Sequence, residues 1–322
     1  MPNSVEKRRF AQGLFLGIFA MMLVGGSVAV SALLGDAPLF TAQAIRYAAA
    51  AALLLIMARI SGVRIVRPRA TDWLWLAGIA ATGLVLFNVA IVRGVAHAEP
   101  ATIAVAVACV PIVIGLIGPL LDRQRPAPGV VLAAVVVTTG GVIVEGTGRT
   151  NAAGIAWAVV ALVCEAAFTL FAIPVLRRQG AWGVSVHTVW IGSVMLLVLS
   201  MLVDGPQAAM QLRSEHWAAI GYLALLVTAV AFVCWYSSVA IIGSGRAGLL
   251  TGVAPLAAAL AGAFTIGQLP ISSVWLGIGV VCAGLAIGLR PQSRSASRVA
   301  ERRRDEEARR RSPAATVIVT DE

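Results

Sequence analysis

The chain has 322 residues, of which 59% are hydrophobic and 12% are charged, and its formal net charge is +10. A soluble domain is about 45–50% apolar and about 25% charged, so this composition excludes a soluble globular protein and indicates an integral membrane protein. The excess of arginine does not indicate nucleic-acid binding, because the arginines lie in short loops and in the C-terminal segment, outside the apolar stretches.

Ten apolar stretches are predicted to be transmembrane helices, so the predicted fold is an all-α integral membrane protein. A helix needs about 20 apolar residues to cross the hydrocarbon core of a bilayer. Turn-forming or charged residues, such as "GDAP" at 35–38, separate the stretches, and residues 1–11 precede the first of them. The predicted spans are 12–34, 39–59, 72–95, 100–121, 128–146, 153–174, 183–203, 217–241, 246–267 and 272–290.

The basic residues of the connecting loops alternate along the chain. One set of loops, together with both termini, carries most of them, whereas the other set contains only Arg93, Arg149 and Arg213. Cytoplasmic loops of membrane proteins carry the excess of Lys and Arg. We therefore predict a multi-pass protein of the plasma or inner membrane, with a cytoplasmic N-terminus and a charged cytoplasmic tail at 291–322. The basic residues of the first set are Lys7, Arg8, Arg9, Arg59, Arg64, Arg67, Arg69, Arg123, Arg125, Arg177, Arg178 and Arg246.

The sequence repeats itself at an offset of 144 residues. Residues 111–145 align without a gap with residues 255–289, and 11 of the 35 positions are identical. The two repeats, 12–146 and 153–290, then contain five helices each, and because five is odd the second repeat begins at the opposite face of the membrane. Such inverted repeats are typical of secondary transporters, which bind their substrate between the repeats near the middle of the bilayer.

Two prolines occupy equivalent positions of the repeats, Pro111 in the fourth span and Pro255 in the ninth. Each proline lacks a backbone donor and clashes with the preceding turn, so a kink is predicted at both positions. We interpret these kinks as gating elements of a transporter. Prolines that are merely tolerated in a membrane helix are the alternative interpretation.

Glu165 is the only acidic residue deep within a predicted span. An ionisable residue at the bilayer centre costs about 2.5–3.5 kcal/mol on insertion scales, and such residues usually face a cavity or a partner. Trp157, Ala161 and Thr169 share its helical face at a spacing of four residues. We predict that Glu165 holds a cationic group of the substrate or carries a coupling proton. A protonated residue that only packs against a neighbouring helix is the alternative.

Arg46 lies in the middle of the second span, next to Tyr47. It is predicted to bind a substrate carboxylate or to neutralise Glu165, and the alternative is a side chain that snorkels or caps backbone carbonyls. His187 is a candidate proton carrier, because histidine titrates near neutral pH. For aromatic residues of the spans, packing is the alternative to substrate contact. The further candidates for substrate contact are Asn88, Thr169, Trp190 and Trp235.

Several kinds of chemistry are not indicated by the sequence. It contains no GxxxxGK[ST] loop, HExxH motif or nucleophile elbow, so an enzyme or a direct ATP-driven pump is not predicted. The four cysteines lie in apolar segments without CxxC or Cys/His spacing, so neither a metal site nor a cofactor is predicted. A GxxxG spacing in "GLAIG" (284–288) indicates helix packing or a homodimer interface.

Three stretches resemble a known family, the EamA-type members of the drug/metabolite transporter superfamily. "AQAIRYAAAAALLL" (42–55) is similar to their second helix, residues 88–144 to their third to fifth helices, and residues 237–289 to the matching part of their second copy. The resemblance implies ten helices as a five-plus-five inverted repeat and the export of small metabolites or drugs. It also places Arg46 on the recurrent arginine of the second helix in that family.

The chain departs from the family pattern at positions that often carry acidic residues. Gln124, Gln268 and Ala254 occupy such positions here, and Glu165 lies in a region where the family often has a tryptophan. We predict a secondary transporter that exports a small, amino acid-like or drug-like metabolite across the inner membrane by alternating access. A proton or substrate gradient is the predicted driving force. A membrane scaffold or signalling protein that keeps the fold without transporting is the alternative.

Overall fold

The computed structural model describes residues 4–146, 148–266 and 271–289. Within these residues the chain is helical, and its only β-type contact is an isolated bridge between Ala98 and Thr150. The predicted tail at 291–322 and Gln268 of the second repeat lie outside the described residues. The hydrophobic composition accounts for this architecture, because in lipid every backbone polar group has to be satisfied within its own helix.

Ten rods, α1 to α10, make up the described part of the chain. Nine of them are long and apolar enough to cross a bilayer, and the tenth is an apolar helix of 17 residues. This confirms the predicted all-α membrane fold of ten helices. The rods are α1 Ser4–Ala32, α2 Leu39–Ile60, α3 Ala70–Val95, α4 Pro100–Leu121, α5 Pro128–Glu145, α6 Ala152–Leu170, α7 Ile173–Asp204, α8 Ser214–Ile242, α9 Ser244–Ala263 and α10 Ser272–Gly288.

Two rods, α1 and α7, begin more than a helical turn earlier than the sequence predicted. α1 begins at Ser4, so the basic residues before the apolar stretch belong to the helix. α7 begins at Ile173, and Arg177 and Arg178, which were predicted in a loop, lie in its first turns. Arginine and lysine are good helix formers, so a charged flank extends a helix beyond the apolar span. Gly180 then interrupts α7 with a φ of 64°, a conformation that residues with a side chain rarely adopt.

Irregular turns recur at equivalent positions of the two repeats. α1 is interrupted at Ser27, and 144 residues later α6 ends at the turn of Phe171. In the same way, α3 is π-helical over Ala80–Leu86 and α8 over Leu223–Val230. The repeat is therefore visible in local backbone geometry as well as in sequence. π-helical turns are rare overall, but those that occur are often at functional sites. The middle of α3 and the middle of α8 are therefore candidate functional regions.

Both predicted proline kinks coincide with breaks in the helix. α4 is interrupted by a turn at Cys109, two residues before Pro111, and α9 has a 3₁₀ turn over Leu250–Gly252, just before Pro255. The break lies upstream because a proline ring clashes with the carbonyl of the preceding turn. The gating role of these two prolines stays a prediction.

The α5–α10 contact joins the two repeats through glycines. A Cβ added at Gly140 would lie 2.7 Å from the backbone nitrogen of Val281, and one at Gly284 would lie 2.9 Å from that of Val137. A Cβ added at Gly288 would likewise lie 2.6 Å from the Ala133 side chain. Both glycines of "GLAIG" therefore serve packing within the chain, as small residues do in membrane bundles. The homodimer stays a prediction, and this motif no longer supports it.

Candidate functional site

Arg46 is held by three contacts where α2 meets α8. Its Nε donates a hydrogen bond to Oγ1 of Thr228 at 3.1 Å, and its Nη1 donates to Oε1 of Gln43 at 3.2 Å. The guanidinium also lies 5.1 Å from the centre of the Tyr47 ring. Thr228 is fully buried, so these contacts fix a positive charge within the bundle. A guanidinium has five N–H donors, and donors remain for a ligand carboxylate.

Asn88 adjoins this charge through Tyr47. Its Nδ2 donates to the hydroxyl oxygen of Tyr47 at 3.3 Å and to the carbonyl oxygen of Leu84, one turn back on α3, at 2.6 Å. The side chain of Ser193 on α7 donates to the carbonyl oxygen of Ala44 at 3.0 Å. The polar residues of α2 are thus connected to α3, α7 and α8.

Glu165 is half-buried in α6 and has no hydrogen-bond or ion-pair partner within the described part of the chain. No ion pair joins it to Arg46, so the structure does not support neutralisation of Glu165 by that arginine. An acidic group without a partner inside a bundle is available to a ligand or a proton.

An aromatic cluster of α6 and α8 lies beside Glu165. The ring centres of Phe168 and Phe232 are 4.8 Å apart, and those of Phe168 and Tyr236 are 5.2 Å apart. Trp235 Nε1 donates to Oγ1 of Thr169 at 3.0 Å, and both side chains are buried. The structure therefore brings two predicted residues, Thr169 and Trp235, into direct contact. Their hydrogen bond satisfies the indole donor of Trp235, so we do not include these two residues in the candidate site.

Sequence reasoning missed Phe168 and Tyr236. Both were detectable from spacing, since Phe168 follows Glu165 by three residues and Tyr236 follows Phe232 by four. The hydroxyl of Tyr236 donates to the carbonyl oxygen of Phe168 at 3.2 Å, which fixes the ring. The missing information was which faces of α6 and α8 meet.

α8 connects the arginine and the glutamate. Thr228 contacts Arg46, and Phe232, one helical turn or about 5.4 Å further along, contacts Phe168 of α6. A positive charge, an unpartnered acid and an aromatic surface consequently lie around one helix. We define the candidate site by six residues: Arg46, Asn88, Glu165, Phe168, Phe232 and Tyr236.

His187 and Trp190 form a separate group. Trp190 Nε1 donates to Nδ1 of His187 at 3.2 Å, and His187 Nε2 lies 3.1 Å from the carbonyl oxygen of Val66. Trp73 packs edge-on against both rings at 5.8 and 5.9 Å. Since Nδ1 accepts a hydrogen bond, this network assigns the proton to Nε2 and a neutral imidazole. The structure thus places these two predicted residues beside the α2–α3 loop, bonded to neither Glu165 nor Arg46.

Two surface clefts also lie away from the candidate site. One, of about 510 Å³, is lined by the α3–α4 and α5–α6 loops, where Arg149 Nε and Glu99 Oε1 are 2.8 Å apart. The other, of about 540 Å³, lies between α1 and the α8–α9 connection, where the Arg246 guanidinium lies 5.4 Å from the Phe10 ring centre. Among the described residues, no group of three His, Cys, Asp or Glu side chains is arranged to hold a metal ion.

Comparison with known proteins agrees with this architecture. A transporter of Bacillus subtilis (strain 168), named "Uncharacterized transporter YetK", is 24% identical over 277 residues, which are 83% of this chain and 84% of that protein. A protein of Streptantibioticus cattleyicolor named "Probable terminal-alkyne amino-acid exporter" is 27% identical over 245 residues, 75% of this chain and 81% of that protein.

A solved crystal structure has the same fold, with a TM-score of 0.72 at 18% identity over 86% of this chain and 96% of that chain. The family described as the EamA-like transporter family matches residues 11–145 and, a second time, residues 152–290. Two matches, one in each half, agree with the repeat found in the sequence and in the irregular turns. The transporter predicted from the sequence is confirmed, and the chain belongs to the EamA-like transporter family.

Proposed function

We propose that this transporter exports a small zwitterionic molecule of amino-acid type across the inner membrane by alternating access, with both termini in the cytoplasm. The observation that carries the proposal is the arrangement around α8. The guanidinium of Arg46 and the carboxyl group of Glu165 lie near one helix without forming an ion pair with each other. Two opposite charges left apart within a bundle match a ligand that carries both charges.

The chemistry of the candidate site fits such a ligand group by group. The guanidinium binds a carboxylate through charge-assisted hydrogen bonds. The glutamate accepts hydrogen bonds from an ammonium group, which the rings of Phe168 and Phe232 also attract through their faces. The aromatic surface then receives an apolar side chain. The relative named a probable terminal-alkyne amino-acid exporter supports this class of substrate.

Glu165 has a second candidate role, as the carrier of a coupling proton. A carboxyl group without a hydrogen-bond partner exchanges a proton without breaking a contact within the protein. The two roles predict different behaviour. If Glu165 binds the substrate, its substitution changes the concentration of amino acid at half-maximal transport. If Glu165 carries the coupling proton, its substitution changes the response of transport to an imposed pH gradient.

Transport of labelled amino acids into inverted membrane vesicles tests the proposal. Glu165→Gln keeps the shape of the side chain and removes its charge, and we expect at least tenfold slower transport, since a hydrogen bond to a charged group contributes about 1.5–3 kcal/mol. Arg93→Gln removes an exposed charge from α3 and should leave transport unchanged. Transport by Glu165→Gln at the parent rate and with the parent pH response would exclude this glutamate from the mechanism.

A further inference from the structure

The N-termini of α3 and α8 are built alike. The offset of 144 residues relates Arg69 to Arg213 and Asp72 to His216. In α3, the backbone nitrogen of Arg69 donates to Oδ2 of Asp72 at 3.0 Å, and in α8 that of Arg213 donates to Nδ1 of His216 at 3.2 Å. The repeats thus conserve the helix cap although the capping residue differs, which indicates that its position matters.

In α3 the capping side chain also reaches the other repeat. Oδ2 of Asp72 accepts a hydrogen bond from Nε2 of Gln179 at 2.9 Å and pairs with the guanidinium of Arg178. Both partners lie in the first turns of α7, and Asp72 and Gln179 are buried. We name Asp72, Arg178 and Gln179 the Asp72 clamp.

In α8 the equivalent contact joins the capping residue of the second repeat to a residue of the first repeat. His216 Nε2 lies 3.1 Å from Oδ1 of Asp36, and Arg213 Nη2 lies 2.6 Å from Oδ2 of the same residue. Because His216 Nδ1 accepts from the backbone, its Nε2 is assigned the proton and donates to Asp36. Asp36 belongs to the α1–α2 connection of the first repeat. We name Asp36, Arg213 and His216 the Asp36 clamp.

The two clamps lie at opposite faces of the bundle. α3 follows an arginine-rich loop, whereas α8 starts at the face whose loops contain few basic residues. Each clamp ties the first turn of a helix in one repeat to the other repeat, at the start of α7 for Asp72 and at the α1–α2 connection for Asp36. A transporter opens one face by parting its repeats there, and contacts that join the repeats at that face oppose the opening.

We propose that the Asp72 and Asp36 clamps consist of positioning residues that determine which face of the transporter opens. Each clamp stabilises closure of its own face and leaves the other face unaffected. Two features at the Asp72 clamp suit reversible contact. Oε1 of Gln179 is buried without a hydrogen-bond partner, which makes the closed state costly. Gly180, with its left-handed backbone, follows directly and provides a pivot.

The test uses one pair of variants at each face. At the Asp36 clamp, Asp36→Asn is compared with Glu215→Gln, since both carboxylates contact Arg213 but Glu215 belongs to the same helix. At the Asp72 clamp, Arg178→Gln is compared with Arg177→Gln, the exposed neighbour in the same turn. The readout is labelling of the native cysteines Cys164 and Cys234 by a membrane-impermeant maleimide.

The reagent is applied to right-side-out and to inverted vesicles, and the labelled cysteines are identified by mass spectrometry. We expect Asp36→Asn to raise labelling at least threefold from the arginine-poor face only. Arg178→Gln should do so from the arginine-rich face only, and both controls should match the parent. Labelling needs no substrate, so the outcome does not depend on the proposed zwitterion.

Equal labelling from both faces in either clamp variant would overturn the proposal, because general loosening of the bundle has no preferred face. Labelling that matches the control variants would overturn it as well. If Arg178→Gln does not insert into the membrane, Gln179→Leu removes a single hydrogen bond of the same clamp and takes its place.

Discussion

Equivalent positions of α2 and α7 carry the same kind of contact with different chemistry. The offset of 144 residues relates Gln43 and Arg46 to His187 and Trp190. In both pairs the second residue donates to the first at 3.2 Å. Arg46 also donates a hydrogen bond to Thr228 of α8, whereas His187 and Trp190 pack against Trp73 of α3. The inverted repeat determines where a helix meets its neighbour. Because the side chains of the two repeats differ, the positive charge of Arg46 has no counterpart at Trp190.

Inversion of the two repeats predicts the largest effect. A C-terminal alkaline-phosphatase fusion should be inactive in a bacterial host, whereas a fusion after Arg149 should be active, because one repeat of five helices separates the two ends. Phosphatase activity normalised to expression measures the difference. Equal activities would contradict the odd number of helices in the second repeat and with it the inversion.

Arg46 and Trp190 should differ strongly when each loses its donor group. Arg46→Gln removes the charge next to Thr228, and we expect at least tenfold slower export. Trp190→Phe removes the hydrogen bond to His187 and part of the ring that packs against Trp73, from a residue that is 39% exposed, and less than a twofold change is expected. Export rates in vesicles at matched expression provide the comparison. A larger loss in Trp190→Phe would move the candidate site toward α7.

Gly140 and Gly284, in contrast, should respond alike, because the repeats are equivalent in the α5–α10 contact. An added methyl group at either position meets backbone at 2.7 to 2.9 Å, so each alanine variant should lose about 1–3 kcal/mol of stability. Gly279→Ala on α10 is the matched control, since nothing lies within 4 Å of its Cβ position. Thermal unfolding in detergent measures the loss, and an unaffected Gly284→Ala protein would contradict the tight contact.

The smallest effect is expected from titration of the Asp36 clamp. Arg213 and then His216 lower the pKa of the exposed Asp36 below its usual 3.8. A lowered pKa stabilises the folded protein above the unfolded value, and this stabilisation is lost as the pH falls through the folded value. Unfolding temperature should therefore not change through Asp36 between pH 7 and about pH 5. At lower pH, the difference between Asp36→Asn and the parent should shrink, and a difference that grows would contradict the assignment.

The sequence by itself determined the number of helices, their approximate ends and the repeat. Hydrophobic length identifies a span, and both proline positions coincide with helix breaks because the effect of a proline is local to one turn. The early starts of α1 and α7 were missed for the same local reason, since charged residues that leave the membrane can still extend a helix.

Only the tertiary structure decided which helix faces meet. Periodicity shows that Glu165, Phe168 and Thr169 are neighbours on α6, but it does not show that α8 supplies their partners. The titration range of histidine made His187 a candidate proton carrier alongside Glu165, whereas the packing of α7 places that histidine beside Val66. The clamps around Asp36 and Asp72 also join residues more than 100 positions apart. In a membrane bundle every helix is apolar over most of its surface, so the composition of a single helix does not specify its neighbours, and close packing between particular pairs does.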